Sequence, residues 1–110
     1  MLRIANVDAA LRARGYPASC RGELHLDVRD TTIPLNQGRY TVAFEHGRAE
    51  VRRGGTGALE LDVRALAALY SGFLPPEALQ RAGLLAGTAE ALALARDAFA
   101  GPAPAMSDSF

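Results

Sequence analysis

The sequence predicts an α+β domain, and three observations carry that reading. Through the middle of the chain apolar residues alternate with polar ones, as in Leu24, Leu26, Val28 and again in Tyr40, Val42, Phe44. That is the period of half-buried strands. From Val63 onward the spacing becomes helical, with Val63, Leu66, Ala67 and Tyr70 at i, i+3, i+4 and i+7. The 110 residues are 49% hydrophobic, enough for one core and too short a chain for two independent domains. Strands first and helices mostly later give α+β, a mostly antiparallel sheet of about five strands packed with about four helices.

The elements follow in order. Val7–Arg14 reads as a short helix: Asn6 or Asp8 caps it, Val7 and Leu11 share a face, and Gly15 ends it. Glu23–Asp30 alternates strictly, with Leu24, Leu26 and Val28 on one face and Glu23, His25, Asp27 and Arg29 on the other. A polar connection broken by Pro34 and Gly38 comes next. Strands around Tyr40–Phe44 and Ala49–Val51 flank His46-Gly47, a two-residue loop whose glycine accepts the positive φ of a hairpin turn. Arg53–Gly57 is a flexible connection, and Leu59 and Leu61 mark a further strand, so the strands read as an antiparallel meander.

Asp62 caps a helix from Val63 to Tyr70. Pro75-Pro76-Glu77 opens another, Pro76–Ala82, with proline in the first turn, an acid near the positive dipole end and Gly83 as the stop. Thr88 caps a last helix to about Ala100, with Leu92, Ala95 and Phe99 in line, and its many alanines let it lie close to a sheet. Residues 101–110, rich in Pro, Ala and Ser, read as an extended tail of this single domain.

Charge and composition exclude several functions. Twelve arginines, no lysine and twelve acids sum to zero, with no basic run and no tryptophan among only seven aromatic residues. A phosphate-tracking nucleic-acid binder needs a basic stripe, so no nucleic-acid partner is expected. Arg3 and Asp8 interrupt the start, leaving no signal-peptide core, and no 18-residue apolar run exists to span a membrane. The expected compartment is the cytoplasm. A lone Cys20 excludes an intrachain disulfide and a cysteine-cluster zinc site.

The chemistry-bearing residues are few. Arg52–Gly57 fits R-x-x-G-x-G, the pyrophosphate loop of GNAT acetyltransferases, but that chemistry needs a helix directly after the loop. Here Ala58–Asp62 alternates as a strand, so the glycines read as a strand connection and no cofactor site is assigned. His25, between Glu23 and Asp27 on a polar strand face, and His46, at a turn tip, read as solvated, without metal-ligand spacing. Cys20 lies beside Arg21, a neighbour that lowers a thiol pKa slightly, and has no histidine near it in sequence. A tolerated or structural thiol is the expectation.

Four segments in order carry a family resemblance. Arg3-Ile4, Val7-Asp8, Ala10-Leu11, Arg14 and Tyr16 open the series, followed by Asp30…Pro34-Leu35-Asn36-Gln37-Gly38-Arg39-Tyr40. Leu61-Asp62-Val63…Leu66…Leu69-Tyr70-Ser71-Gly72, with Leu79 and Ala82-Gly83, is the third segment, and the terminal Asp108-Ser109-Phe110 is the fourth. Together they resemble the C-terminal domain of Eis-type (enhanced intracellular survival) GNAT N-acetyltransferases over essentially the whole chain. The resemblance implies a sterol-carrier-protein-like fold following two GNAT domains of the same parent chain. Those domains would bind acetyl-CoA, and no cofactor is expected in this chain. It also implies that the carboxylate of Phe110 serves as general base for the acceptor amine. Where the family tends to carry Pro-Trp-Cys-Pro-Asp, this chain has Pro104-Ala105-Met106-Ser107-Asp108, which removes a large aromatic anchor. A start at Met1, where the domain itself begins, is read as an excised domain or a stand-alone relative.

Two other classes compete with an acetyltransferase domain that is inactive alone. A stand-alone carrier of lipids or other hydrophobic small molecules would need a tunnel between sheet and helices, with Leu24, Val42, Phe44, Leu66, Tyr70 and Phe99 as its lining. The same residues also read as ordinary core. An assembly module would self-associate through faces left apolar by missing domains.

Overall fold

The computed structural model describes residues 4–72 and 74–100. The predicted tail, with Phe110, lies outside the described residues. The elements run α1 (Val7–Ala13), β1 (Gly22–Arg29), a 3-10 turn (Pro34–Asn36), β2 (Gly38–Glu45), β3 (Arg48–Arg53) and β4 (Leu59–Asp62). They continue with α2 (Val63–Tyr70), α3 (Pro76–Arg81), β5 (Leu85–Gly87) and α4 (Ala89–Ala98). The predicted α+β class holds, with one five-stranded sheet in the order β3-β2-β1-β4-β5.

The alternation read in the sequence sets the two faces of this sheet. Leu24, Leu26, Val28, Tyr40, Val42, Phe44, Val51, Leu59, Leu61 and Leu85 are all buried on one face, where α1, α2 and α4 cover them. Burial of such side chains stabilises by about 1.5–3 kcal/mol each. The caps also follow the sequence: Asn6 accepts from the Ala9 N–H, Asp62 from the Arg64 N–H and Thr88 from the Ala91 N–H. His46 and Gly47 take φ of 54° and 77°, the paired positive values of a tight hairpin turn.

The meander is corrected. β1 pairs antiparallel with β2 but parallel with β4. Parallel strands ordinarily need a crossover of a dozen or more residues. Here the register removes that need, because Arg53, Tyr40, Leu26 and Leu59 stand in one row across the sheet. The end of β3 is level with the start of β4, three strand spacings or roughly 14 Å away. Gly54–Ala58 reaches about 17 Å when extended, so the connection runs almost straight across the outer face.

Its contacts there hold it as a strap. The Gly54 N–H donates to Arg39 O at 2.8 Å, Thr41 Oγ1 donates to Gly54 O at 2.9 Å, and the Thr56 N–H donates to His25 Nδ1 at 3.2 Å. The expectation of a solvated His25 is therefore corrected: the strap covers its Nδ1, and its Nε2 lies 3.6 Å from Glu23 Oε1. His46 is exposed at the turn tip, as expected.

Gly55 is the tightest point of this crossing. It has φ +122°, and a Cβ built there would lie 2.5 Å from both His25 Nδ1 and Thr41 Oγ1. Gly54 also has positive φ (+102°), but a Cβ there meets nothing within 4 Å. Gly54→Ala should therefore cost only backbone strain, about 1 kcal/mol, and Gly55→Ala about 2–3 kcal/mol. Urea unfolding of the two variants measures the difference, and equal midpoints would contradict a close-packed strap.

Helix faces differ from the predicted ones in detail. In α2 the buried set is Ala65, Leu66, Leu69 and Tyr70, while Val63 and Ala67 are only partly covered. The helix turns its larger Leu69 to the sheet in place of Ala67. In α4 the buried face is Ala91, Ala95 and Ala98, continued by Phe99, and Leu92 stays half-exposed. The strand β5, which no pattern in the sequence places, is three residues long and pairs antiparallel with β4.

Candidate functional site

Three helices end around one arginine. The apolar face of α1 runs Val7, Ala10, Leu11 at i, i+3, i+4, and the next position on that face, i+7, is Arg14. Arg14 is 2% exposed, the one buried cation among the described residues. Its Nε donates to Tyr70 O, the last residue of α2, at 2.9 Å. Its Nη1 donates to Gly15 O at 2.8 Å and, more loosely, to Ala98 O at the end of α4, at 3.5 Å. Rings of Tyr16, Tyr70 and Phe99 surround the guanidinium, with centroids 5.4, 5.7 and 5.2 Å from Cζ.

The helix C-termini explain how a cation is tolerated there. Each presents main-chain carbonyls that carry partial negative charge, a distributed counter-charge to the guanidinium. Burial still pulls the Arg14 pKa below its ordinary value, and it pushes the Tyr16 and Tyr70 phenols above theirs. Tyr16 donates its hydroxyl to Leu11 O at 2.7 Å and meets Phe44 and Phe99 edge-on, at 4.9 and 5.9 Å.

A second polar cluster fixes the loop between β1 and β2. Asp30 Oδ1 accepts the N–H groups of Thr32 and Ile33, both at 2.9 Å, and Oδ2 accepts Asn36 Nδ2 at 3.0 Å. Asn36 Oδ1 accepts the Val7 N–H at 3.0 Å, Asn36 Nδ2 also donates to Ala5 O at 3.1 Å, and Tyr40 donates its hydroxyl to Asn36 O at 2.7 Å. Burial raises the Asp30 carboxyl pKa, but the hydrogen bonds from Ile33, Asn36 and Thr32 outweigh it and leave the pKa below the usual value.

The six apolar candidates all lie in the packed core. Phe44, Tyr70 and Phe99 meet around Tyr16 and Arg14. Leu24 and Val42 face each other across β1 and β2, and Leu66 lies on the sheet side of α2. A cleft of about 900 Å³ opens elsewhere, on the far side of α2, where Ala67, Ala68, Leu74, Leu79 and Leu84 line it. Arg29 and Arg64, with Asp62, form its polar rim at the start of α2.

Cys20 is corrected in sign. The residue is buried, and burial followed by the nearby Asp97 charge pushes its thiol pKa up despite the adjacent arginine. Reaction with a disulfide reagent at neutral pH should be slow in the folded chain and fast in denaturant, and equal rates would contradict this burial. Among the described residues no cluster of His, Cys, Asp and Glu has the makings of a metal site, and no helix is long and apolar enough to cross a membrane.

Comparison with known proteins places this geometry. The sterol carrier protein domain profile matches residues 7–107. A GCN5-related N-acetyltransferase from Anabaena variabilis is 45% identical, superposes with a TM-score of 0.89, and covers 93% of this chain with 26% of its own. A GCN5-related N-acetyltransferase from Kribbella flavida is 36% identical, with TM-score 0.80 over 94% of this chain and 27% of its own. Eis1 from Mycobacterium abscessus is 32% identical, with TM-score 0.79 over 98% of this chain and 27% of its own. The chain thus spans about a quarter of the length of these solved relatives. No curated protein matches it.

Proposed function

Because this chain belongs to the sterol carrier protein domain family, we propose that it works as the C-terminal domain of an Eis-like, acetyl-CoA-dependent N-acetyltransferase. One observation carries the reading: 93% of the chain aligns with 26% of an N-acetyltransferase at 45% identity. In this role acetyl-CoA binds the GNAT domains of a longer parent chain. The present domain supplies a rigid scaffold, a wall of the substrate pocket and the Phe110 carboxylate as general base. An attacking amine must lose a proton, and a positioned carboxylate takes it through water.

The test removes the domain from its parent polypeptide. Acetyl transfer should be lost while acetyl-CoA binding persists, and the isolated domain should transfer no acetyl groups. Full activity of the truncated parent would overturn the proposal.

The cleft beside α2 favours a second reading, a carrier of apolar small molecules. Its alanine and leucine walls suit an alkyl chain, and Arg29 and Arg64 suit a polar or anionic head at the rim. Titration with a fluorescent fatty acid should then saturate at one site per chain, with Ala68→Trp weakening it by filling the cleft. No saturable binding would remove this reading.

A further inference from the structure

The strap across the outer face is held by an acceptor that one proton removes. The Thr56 N–H can only donate, so His25 Nδ1 accepts it at 3.2 Å. The ring's own proton then sits on Nε2, which faces Glu23 Oε1 at 3.6 Å. Thr41 does not compete for Nδ1. Its single hydroxyl hydrogen goes to Gly54 O at 2.9 Å, so toward Nδ1, 3.2 Å away, it presents a lone pair. A proton added to Nδ1 would find that lone pair but would leave the Thr56 N–H facing another donor.

The two carboxylates that flank the ring on β1 each hold an arginine. Glu23 meets Arg52 of β3 at 3.2 Å, and Asp27 meets Arg39 of β2 at 3.7 Å. Glu50 of β3 stands in the row of Glu23 and Glu60 of β4 in the row of Asp27, while Gly54–Ala58 itself carries no charge. We propose that His25 is a pH-sensitive latch: its neutral ring holds the strap on the sheet, and its protonation releases Thr56 and opens Gly54–Gly57. Gly55 couples the two tightly, since a Cβ there would lie 2.5 Å from both the ring and the Thr41 hydroxyl. Opening uncovers Thr41, which the closed strap leaves only 5% exposed.

NMR of the ¹⁵N-labelled 110-residue chain between about pH 8 and pH 5 tests the latch. That window spans the ordinary imidazole range and stays above the carboxylate one. At its upper end the ring nitrogens should show the Nε2–H tautomer. On acidification the amides of Gly54, Gly55, Thr56 and Gly57 should shift with the same midpoint as the His25 ring. Their protection from exchange, taken relative to the unstructured rate at each pH, should fall about five- to tenfold, the worth of one hydrogen bond. The amides of β1 and β2 should keep theirs. His25→Asn puts an uncharged oxygen in the place of Nδ1, so the strap should stay closed across the window. His25→Ala should leave it open throughout. Strap amides that stay protected while His25 titrates would overturn the proposal. Wild-type protection at the upper end no greater than that of His25→Ala would do the same. His46, at the hairpin tip, is the other imidazole, and a strap response that vanished in His46→Gln would also overturn it.

Discussion

Asn36→Ala should destabilise the domain by about 3 kcal/mol, lowering the melting temperature by more than about 10 °C. The side chain of Asn36 is almost fully buried and makes three hydrogen bonds. Its loss leaves the Val7 N–H at the start of α1 without an acceptor and the Asp30 carboxylate with one donor fewer. Each unsatisfied buried group costs about 1–3 kcal/mol. Asn36→Asp keeps the acceptor for Val7 but sets a second carboxyl against Asp30, so it should not rescue the fold at neutral pH. A variant within 1 kcal/mol of wild type by urea unfolding would show that the loop is not held by this network.

The same network gives acid unfolding a definite sign. The Asp30 pKa is depressed in the folded chain by donors it lacks when unfolded, so the ionised form favours folding. That stability is fully present above the unfolded value, about 3.9, and is lost as pH falls through the lower folded value. Asp30→Asn should flatten this acid limb of the stability curve.

The fold was largely legible because the strands and caps are local features. A two-residue loop ending in Gly47 can close one kind of hairpin, and Asp62 and Thr88 cap the helices the sequence assigns them. The parallel pairing of β1 with β4 was not legible. It depends on Arg53 and Leu59 being level across four strands, a register that emerges only once β2 is placed. The cleft was invisible for a different reason. It is volume that Ala67 and Ala68 fail to fill, and small side chains give the same apolar signal whether they touch a neighbour or not. Arg14 did leave a trace, a cation at the i+7 position of an otherwise apolar helix face. Read alone, that position is a helix end; only three converging carbonyls make it a hub.

Converting the Phe110 carboxylate to an amide in the full parent enzyme should lower kcat by about 10²–10⁴-fold, the usual contribution of a general base. Acetyl-CoA affinity should stay within a few-fold, since the role proposed for the carboxylate is toward the acceptor amine. Deleting Phe110 is the weaker experiment, because Ser109 then bears a new carboxylate about 3.5 Å back along the chain. The amide keeps the ring and the chain length and removes only the charge. An ordinary α-carboxyl has a pKa of about 3.3–3.7, so it is ionised throughout the neutral range and is a weak base there. Its effectiveness has to come from placement against the amine or an intervening water. A one-glycine extension keeps the charge and misplaces it, so it should lose activity as the amide does. An amide with wild-type kcat would remove the base from Phe110. Loss on extension alongside an active amide would assign the terminus to packing of the pocket wall.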